Sequence, residues 1–80
     1  METLRNYLNA LSLEKQREFA AQCETSLEYL RKAISKKQKL GAALSVSIEY
    51  HSAGSVSRKN LHPDDWGKIW PELDHKKTAA

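Results

Sequence analysis

The chain has 80 residues, of which 40% are hydrophobic and 29% charged, and its formal net charge is +3. A chain of this length forms one small domain with a modest core, which argues against a conventional enzyme with a deep, enclosed cleft. The composition is typical of neither a disordered nor a fibrous protein. The longest uncharged stretch, residues 40–48, is too short for a membrane-spanning helix.

The first residues and the cysteine content indicate a cytoplasmic protein. Residues 1–5 lack the basic flank and the long apolar run of a secretory signal. The single cysteine, Cys23, cannot form an internal disulfide bond, and small domains without disulfides are typical of the cytoplasm. Cys23 shares an apolar helical face with Phe19 and Ala20, so we expect a packed core thiol rather than a nucleophile.

Charge is distributed unevenly along the chain. Residues 1–30 contain three basic and five acidic residues. Residues 31–59 contain seven basic residues and one acidic residue, and residues 60–80 contain three basic and four acidic residues. The middle segment therefore has the character of a phosphate-binding surface. Its densest part, residues 31–39, contains five basic residues and no acidic residue. A solvated helix face is the alternative interpretation of this run.

Three short helices are predicted in the first half of the chain. Apolar residues at positions i, i+3, i+4 and i+7 predict an amphipathic helix over about residues 2–11. Ser12 suits the N-cap of a second helix over residues 13–23. A third helix is predicted to run to about Ser35. Its start has the spacing of a Thr25–Glu28 capping box, with Ser26 as the alternative cap.

The second half of the chain begins with an ambiguous segment at residues 42–52. Its apolar residues fit a helical stripe and, equally well, the alternation of a β-strand. If the segment is helical, Gly54 suits the position that follows its C-cap.

Shorter elements are predicted towards the C-terminus. Ser57 is expected to cap a helical turn over residues 58–61, and a turn at residues 63–66 is expected to precede a last helical turn that Pro71 ends. Residues 74–80 are predicted to form a flexible tail.

Residues 16–35 have the pattern of a helix-turn-helix, in which two short helices are joined by a tight turn and the second helix is basic. Such a unit places its second helix in the major groove of DNA, while the first helix crosses the backbone. Small Ala20 suits the close crossing of the two helices. The turn position usually occupied by glycine is Glu24. Either the turn geometry differs, or a strain of roughly 1 kcal/mol or more is tolerated.

A longer pattern runs through most of the chain. Residues 25–35 are followed by Gln38-Lys39-Leu40, Ile48-Glu49, Gly54-Ser55-Val56-Ser57-Arg58, Leu61-His62-Pro63-Asp64-Asp65-Trp66 and Ile69-Trp70-Pro71-Glu72-Leu73. In this pattern residues 3–73 resemble the YdaS and Cro-like family of prophage regulators, most specifically in the last segment from Pro63 to Leu73.

The resemblance implies an all-α domain over residues 1–73, a compact lambda-repressor-like bundle of about five short helices. It favours a helix over residues 42–52. It also implies DNA-binding transcriptional control in the lysis–lysogeny region of a phage or prophage, inside a bacterial host cell. A further function that the resemblance implies is that of an antitoxin in a toxin–antitoxin pair.

The second helix of the predicted unit supplies the candidate base contacts. An arginine fork matches the O6 and N7 acceptors of guanine, an exposed leucine suits a thymine methyl group, and a glutamate accepts from cytosine N4. The candidate base contacts are Ser26, Leu27, Glu28, Arg31 and Lys32. Three of these have an alternative role. Leu27 is buried in the core, Glu28 only caps the helix, or Arg31 pairs with Glu24 or Glu28.

Residues near the helix starts and in the basic run supply candidate phosphate contacts, because side chains and free amides there bind phosphate oxygens. These candidates are Gln16, Thr25, Lys36, Lys37 and Lys39. Helix capping and solvated loop charge are the alternative roles.

Apolar residues near the C-terminus form a set at positions i, i+3, i+4 and i+7, namely Trp66, Ile69, Trp70 and Leu73. This set forms either part of the core or an oligomer interface, since two tryptophans are a large apolar load for a chain end. We expect a homodimer or higher homo-oligomer, because small helix-turn-helix units bind paired half-sites.

The sequence offers no catalytic set and no metal site. His51, His62 and His75 are far apart, and one cysteine cannot complete a zinc site with them. No nucleophile–base–orienter set is visible. The helix-turn-helix pattern and the resemblance together predict a sequence-specific DNA-binding repressor of the Cro-like type, which needs no cofactor and whose partner is double-stranded operator DNA. The alternative is an antitoxin-like protein-interaction module with a toxin-like protein partner.

Overall fold

The computed structural model describes residues 2–73, and this part of the chain is helical throughout, with no strand. Six α-helices and a 3₁₀ turn follow one another: α1 Glu2–Asn9, α2 Leu13–Gln22, α3 Leu27–Lys36, α4 Ala42–His51, α5 Arg58–Leu61, α6 Trp66–Ile69 and the 3₁₀ turn Pro71–Leu73. The predicted all-α class is confirmed, with six helices in this range rather than about five. The predicted tail, residues 74–80, lies outside the described residues.

The core forms where the first four helices meet. α3 packs against α1 and α2, and α4 packs against α2 and α5. Leu4 and Leu8 lie four residues apart on one face of α1, and they are fully buried together with Leu30 of α3 and Ile48 of α4. Among residues 2–73, no helix combines the length and the apolar character that crossing a membrane requires.

Serine side chains begin two of the helices as predicted. The hydroxyl of Ser12 accepts a hydrogen bond from the backbone N–H of Lys15 at the start of α2. Ser57 and Asn60 form a capping box at the start of α5, in which each side chain accepts from the other residue's backbone N–H. These bonds satisfy donors that have no partner within the helix.

Ser26, and not Thr25, caps α3. The hydroxyl oxygen of Ser26 accepts a hydrogen bond from the N–H of Tyr29 at 3.1 Å. Thr25 belongs to the preceding turn, where its own N–H donates to the carbonyl oxygen of Ala20 at 3.0 Å. The predicted Thr25–Glu28 capping box is therefore wrong, because the Thr25 amide is already engaged.

Three helices end on residues with a left-handed backbone. Glu24, Lys37 and Ala53 have φ values of 60°, 55° and 55°. In each case the N–H of the next residue bonds to the carbonyl five positions before it, as when Gly54 donates to Glu49 at 2.9 Å. This is the Schellman arrangement. The strained turn geometry at Glu24 is thus the one adopted, and Ala53 occupies the position that was predicted for Gly54.

The structure shortens the first predicted helix and decides the ambiguous segment. α1 ends at Asn9 rather than near residue 11, because the N–H of Leu11 bonds to the carbonyl of Leu8 in a tight turn at 2.9 Å. Residues 42–51 form helix α4, which confirms the helical interpretation of the ambiguous segment.

Ala53→Gly is expected to raise the free energy of unfolding by about 1 kcal/mol, because glycine adopts the left-handed conformation without strain. For a domain of this size the gain corresponds to a rise in Tm of roughly 4–8 °C. Ala43→Gly is the matched control, since Ala43 is exposed in the first turn of α4 and glycine there relieves no strain and costs at most roughly 0.5–1 kcal/mol. Urea and thermal unfolding measure both changes, and a destabilised Ala53→Gly variant would contradict the expected strain.

Candidate nucleic-acid interface

α3 turns one side to the core and the other to solvent. Its buried side chains are Leu27, Leu30, Ala33 and Ile34. Its exposed residues are Glu28, Tyr29, Lys32, Ser35 and Lys36. Leu27 is only 7% exposed, so the prediction that it is exposed and reaches a thymine methyl group is wrong. The core takes this side chain because it lies three and seven residues before Leu30 and Ile34.

Lys32 lies near the middle of the outward face of α3. It follows Glu28 by four residues and precedes Ser35 by three, so the three side chains share one side of the helix. Glu28 also lies 3.9 Å from Arg17 of α2, but both side chains are mostly exposed and such pairs contribute little. Tyr29 is a further exposed residue on this helix, and the sequence analysis did not propose it. The spacing of Leu27 and Leu30 on the buried side of α3 would have indicated that Tyr29 is exposed.

Arg31 is turned towards α2 instead of solvent. Its Nη2 donates to Oε1 of Gln16 at 2.8 Å, and Nε2 of Gln16 donates to the carbonyl oxygen of Leu11 at 3.0 Å. Arg31 is half-buried, contrary to the expectation that it is exposed, and its described bonds include neither Glu24 nor Glu28. Gln16 is buried, and both the amino group and the oxygen of its amide have partners within the chain.

The remaining candidates near the start of α3 have local roles. Ser26 is exposed, but its hydroxyl caps the helix, and Thr25 is half-buried in the turn. Neither residue extends the outward face of α3.

The cations of the described residues differ in whether a carboxylate neutralises them. Within residues 2–73, five ion pairs join a lysine or arginine to a carboxylate: Arg5–Glu2, Lys15–Glu18, Arg17–Glu28, Lys39–Asp65 and Arg58–Glu49. Lys39, a predicted phosphate contact, therefore lies 3.6 Å from an opposite charge. Lys32, Lys36 and Lys37 form no ion pair with a carboxylate of residues 2–73. Lys59 of α5 and Lys68 of α6 form no such pair either, but they lie singly on their helices. Three of the five lysines without a carboxylate partner in this range therefore lie on α3 and its C-terminal turn.

An open groove of about 450 Å³ lies at the C-terminal end of α3. Its walls combine one acidic residue with basic, polar and apolar side chains: Glu2, Arg5, Ile34, Lys37, Gln38, Lys39, Leu61 and Pro63. The packing of α1 against α3 brings Arg5 to this groove beside the basic run. The sequence carried no signal for this neighbour, because Arg5 lies in the acidic first third of the chain.

Trp70 belongs to the interior of the chain. It is buried, its ring meets the ring of His62 edge-on with 5.4 Å between the centroids, and the guanidinium carbon of Arg58 lies 5.4 Å from the ring centroid. Of the two roles considered for this residue, the structure supports packing within the chain. Arg58 is held there by Glu49 at 2.8 Å.

The rest of the C-terminal apolar set is less well covered. Trp66 and Leu73 are half-buried, and Ile69 is exposed. The ammonium group of Lys59 lies 4.3 Å from the centroid of the Trp66 ring, a cation–π contact that holds this cation against the protein. An oligomer interface here stays a prediction for Trp66, Ile69 and Leu73.

Ser45, His62 and Asp65 form a hydrogen-bonded chain that sequence reasoning did not find. Nε2 of His62 lies 3.1 Å from Oγ of Ser45, and Nδ1 lies 3.1 Å from Oδ1 of Asp65. The hydroxyl of Ser45 donates to the carbonyl oxygen of Gly41 at 2.9 Å. The Gly41 carbonyl, Ser45, the two ring nitrogens of His62 and Asp65 thus form one continuous series of hydrogen bonds.

This chain of bonds is structural, although its residue types match those of a hydrolytic triad. Ser45 is completely buried, so no substrate reaches its hydroxyl. Cys23 is likewise buried, and burial raises the pKa of its thiol to about 11, which keeps it in the unreactive form. Within residues 2–73, no group of three or more histidine, cysteine or acidic side chains is arranged to hold a metal ion.

Comparisons with protein-family models, curated proteins and solved structures returned no match for the chain.

Asp65→Asn is expected to lower the urea midpoint at neutral pH. Burial acts to raise the pKa of Asp65, but the hydrogen bond from His62 and the charge of Lys39 outweigh it, so the net pKa is lowered. A lowered pKa in the folded state stabilises the fold above the unfolded-state pKa, and this contribution is lost as pH falls through the folded-state pKa. The difference between variant and wild type should therefore shrink in acid. Asp64→Asn, which changes an exposed neighbour, is the control and should match wild type throughout.

Gln16→Ala and Arg31→Ala are expected to be coupled. Each single change removes one partner of the 2.8 Å bond and destabilises the fold by about 1–3 kcal/mol, because the other polar group loses its partner. The double variant should then be more stable than the sum of the single losses implies, by about 0.5–3 kcal/mol. Urea unfolding of the four proteins gives this value, and strict additivity would show that the two side chains act independently.

Proposed function

We propose that the protein is a sequence-specific DNA-binding repressor that acts in a bacterial host cell, with α2 and α3 as its helix-turn-helix. α3 enters the major groove, which admits one α-helix. α2 crosses the DNA backbone and sets the angle of α3. Occupation of an operator by this unit blocks the polymerase, in keeping with the Cro-like resemblance of the sequence.

The observation that carries the proposal is the uncompensated charge on α3. Lys32 and Lys36 lie four residues apart on its solvent side, and Lys37 follows at its C-terminus. Arg17 and Arg58 have carboxylate partners, and the two lysines outside α3 that have none, Lys59 and Lys68, lie apart from each other on α5 and α6. Neutralising a phosphate releases a counterion, which is the main source of non-specific affinity for DNA.

The internal link between Gln16 and Arg31 supports the same function. A helix that reads base edges has to be held at a fixed rotation, since positions a few ångströms away meet different groups. The bonds from Leu11 through Gln16 to Arg31 join the α1–α2 connection, α2 and α3. We therefore assign Arg31 first to positioning, and its contact with guanine requires that its bond to Gln16 opens.

Base readout is assigned to the residues on the outward face of α3. Lys32 suits the acceptors of guanine, and Glu28 suits the N4 amino group of cytosine. Lys36 and Lys37 are assigned to phosphate oxygens, together with Arg5 and Lys39 at the groove beside them. The last two must exchange their present carboxylate partners, Glu2 and Asp65, for phosphate.

The antitoxin-like alternative does not require this arrangement of charge. A module that only sequesters another protein needs a complementary surface, not a run of unpaired lysines on one helix. The salt dependence of DNA binding therefore separates the two functions.

Lys36→Ala is expected to weaken DNA binding on every sequence and to flatten the plot of log affinity against log salt by about one unit. The probes are the intergenic DNA next to the protein's own gene and a random duplex of equal length, titrated by fluorescence anisotropy at several salt concentrations. Lys68→Ala is the matched control, because Lys68 is an exposed lysine on α6 and its loss changes the net charge equally.

Lys32→Ala, measured in the same titrations, tests whether Lys32 contacts a base. It should cost about 1–3 kcal/mol on the preferred sequence and much less on the random duplex. Binding that ignores salt, or an equal effect of Lys36→Ala and Lys68→Ala, would exclude α3 as the DNA-binding helix and favour the protein-interaction module.

A further inference from the structure

α3 presents one aromatic side chain to solvent. Its leucines, Leu27 and Leu30, lie in the core. The exposed residues of the helix are Glu28, Tyr29, Lys32, Ser35 and Lys36. Tyr29 alone among these carries an aromatic ring, and it is 40% exposed. The DNA contacts proposed for the charged residues of α3 leave this ring without a function.

Tyr29 shares a side of α3 with two of the lysines that have no carboxylate partner. Residues three and seven positions apart lie on one side of an α-helix, so Tyr29 is aligned with Lys32 and Lys36. All three residues are exposed. A DNA duplex that these two lysines contact therefore meets the tyrosine ring as well.

The ring also lies at the end of α3 that approaches the bases. In a helix-turn-helix, the N-terminal residues of the second helix contact base edges, while the first helix crosses the DNA backbone. Tyr29 is the third residue of α3, and its N–H donates to the hydroxyl oxygen of the N-cap residue Ser26 at 3.1 Å. This bond holds the backbone at Tyr29 in place, and a tyrosine side chain loses little conformational entropy when it is ordered on binding.

The chemistry of the major groove determines what the ring recognises there. The base edges present hydrogen-bond donors and acceptors, and the C5-methyl group of thymine is the apolar group among them. Apolar and aromatic side chains contact this methyl group. Leu27 is buried, and the exposed neighbours Glu28 and Lys32 are charged, so Tyr29 is the side chain at this end of α3 that suits it.

We infer that Tyr29 reads the C5-methyl group of a thymine in the preferred DNA sequence. This inference rests on the proposed function and adds an apolar contact to the polar base contacts of Lys32 and Glu28. The ring covers the methyl group and removes it from water, which favours sequences that contain a thymine at the contacted position.

Replacement of thymidine by deoxyuridine tests the inference, because it removes the methyl group and keeps the donors and acceptors of the base pair. The probes are the duplex that the wild type selects from random sequences and the same duplex with deoxyuridine at every thymidine position, titrated by fluorescence anisotropy. The wild type should bind the thymidine duplex more tightly, by about fourfold for each methyl group contacted. Tyr29→Ala should lower this ratio by about fourfold or more, whereas Tyr29→Phe, which retains the ring, should keep it.

Tyr50→Ala is the matched control. Tyr50 is an exposed tyrosine on α4, outside the helix-turn-helix, so its loss should leave the wild-type ratio unchanged. Thermal unfolding shows that each variant is folded at the titration temperature. The comparison of Tyr29→Phe with the wild type stands even if Tyr29→Ala does not fold.

Three outcomes would overturn the inference and leave the proposed function in place. They are a wild type that binds both duplexes equally, a thymidine preference that Tyr29→Ala retains in full, and an equal weakening of both duplexes by Tyr29→Phe. The last would show that the phenolic hydroxyl contacts a phosphate instead. Failure of the proposed function is a different result, since the wild type would then select no sequence and its binding would ignore salt. The inference would fall with it.

Discussion

The side chain of Gln16 joins the three segments on which the candidate interface depends. One end of its amide donates to Leu11 in the α1–α2 connection, and the other accepts from Arg31 on α3. Rotation of α3 against α2 would leave at least one of these groups without a partner in a poorly solvated position, which is costly. The partly buried bond between Gln16 and Arg31 therefore fixes the rotation of α3, and with it the direction in which the exposed Lys32 points.

Most helices could be predicted from local signals, because their causes are local. Caps such as Ser12 and Ser57 lie beside the donors that they satisfy, and the spacing of Leu4 and Leu8 defines the buried face of α1. The segment that forms α4 could not be assigned by periodicity, since its apolar residues fit both a helical stripe and the alternation of a strand. The sequence also could not decide whether Thr25 or Ser26 caps α3, because both hydroxyls fit the spacing.

The candidate site could be predicted only in part, because its details are tertiary. The basic character of residues 31–39 is visible in the sequence, and three of its lysines form no ion pair with a carboxylate of residues 2–73. The rotation of α3 is set by its packing, which buries Leu27 and draws Arg31 to a partner 15 positions earlier. The contact of His62 with Ser45 spans 17 positions, and no spacing rule connects residues so far apart.

The position of Cys23 has a practical consequence. This thiol lies buried at the end of α2, where the chain enters the turn to α3. The thiolate is the nucleophile that attacks thiol reagents, so Cys23 reacts only during a transient opening that admits both reagent and water. The rate of alkylation then reports the free energy of that local opening, as amide exchange does for backbone groups. Cys23 thus reports, without an added label, how often the α2–α3 turn opens. The measurement can be made on the free protein and with a partner bound.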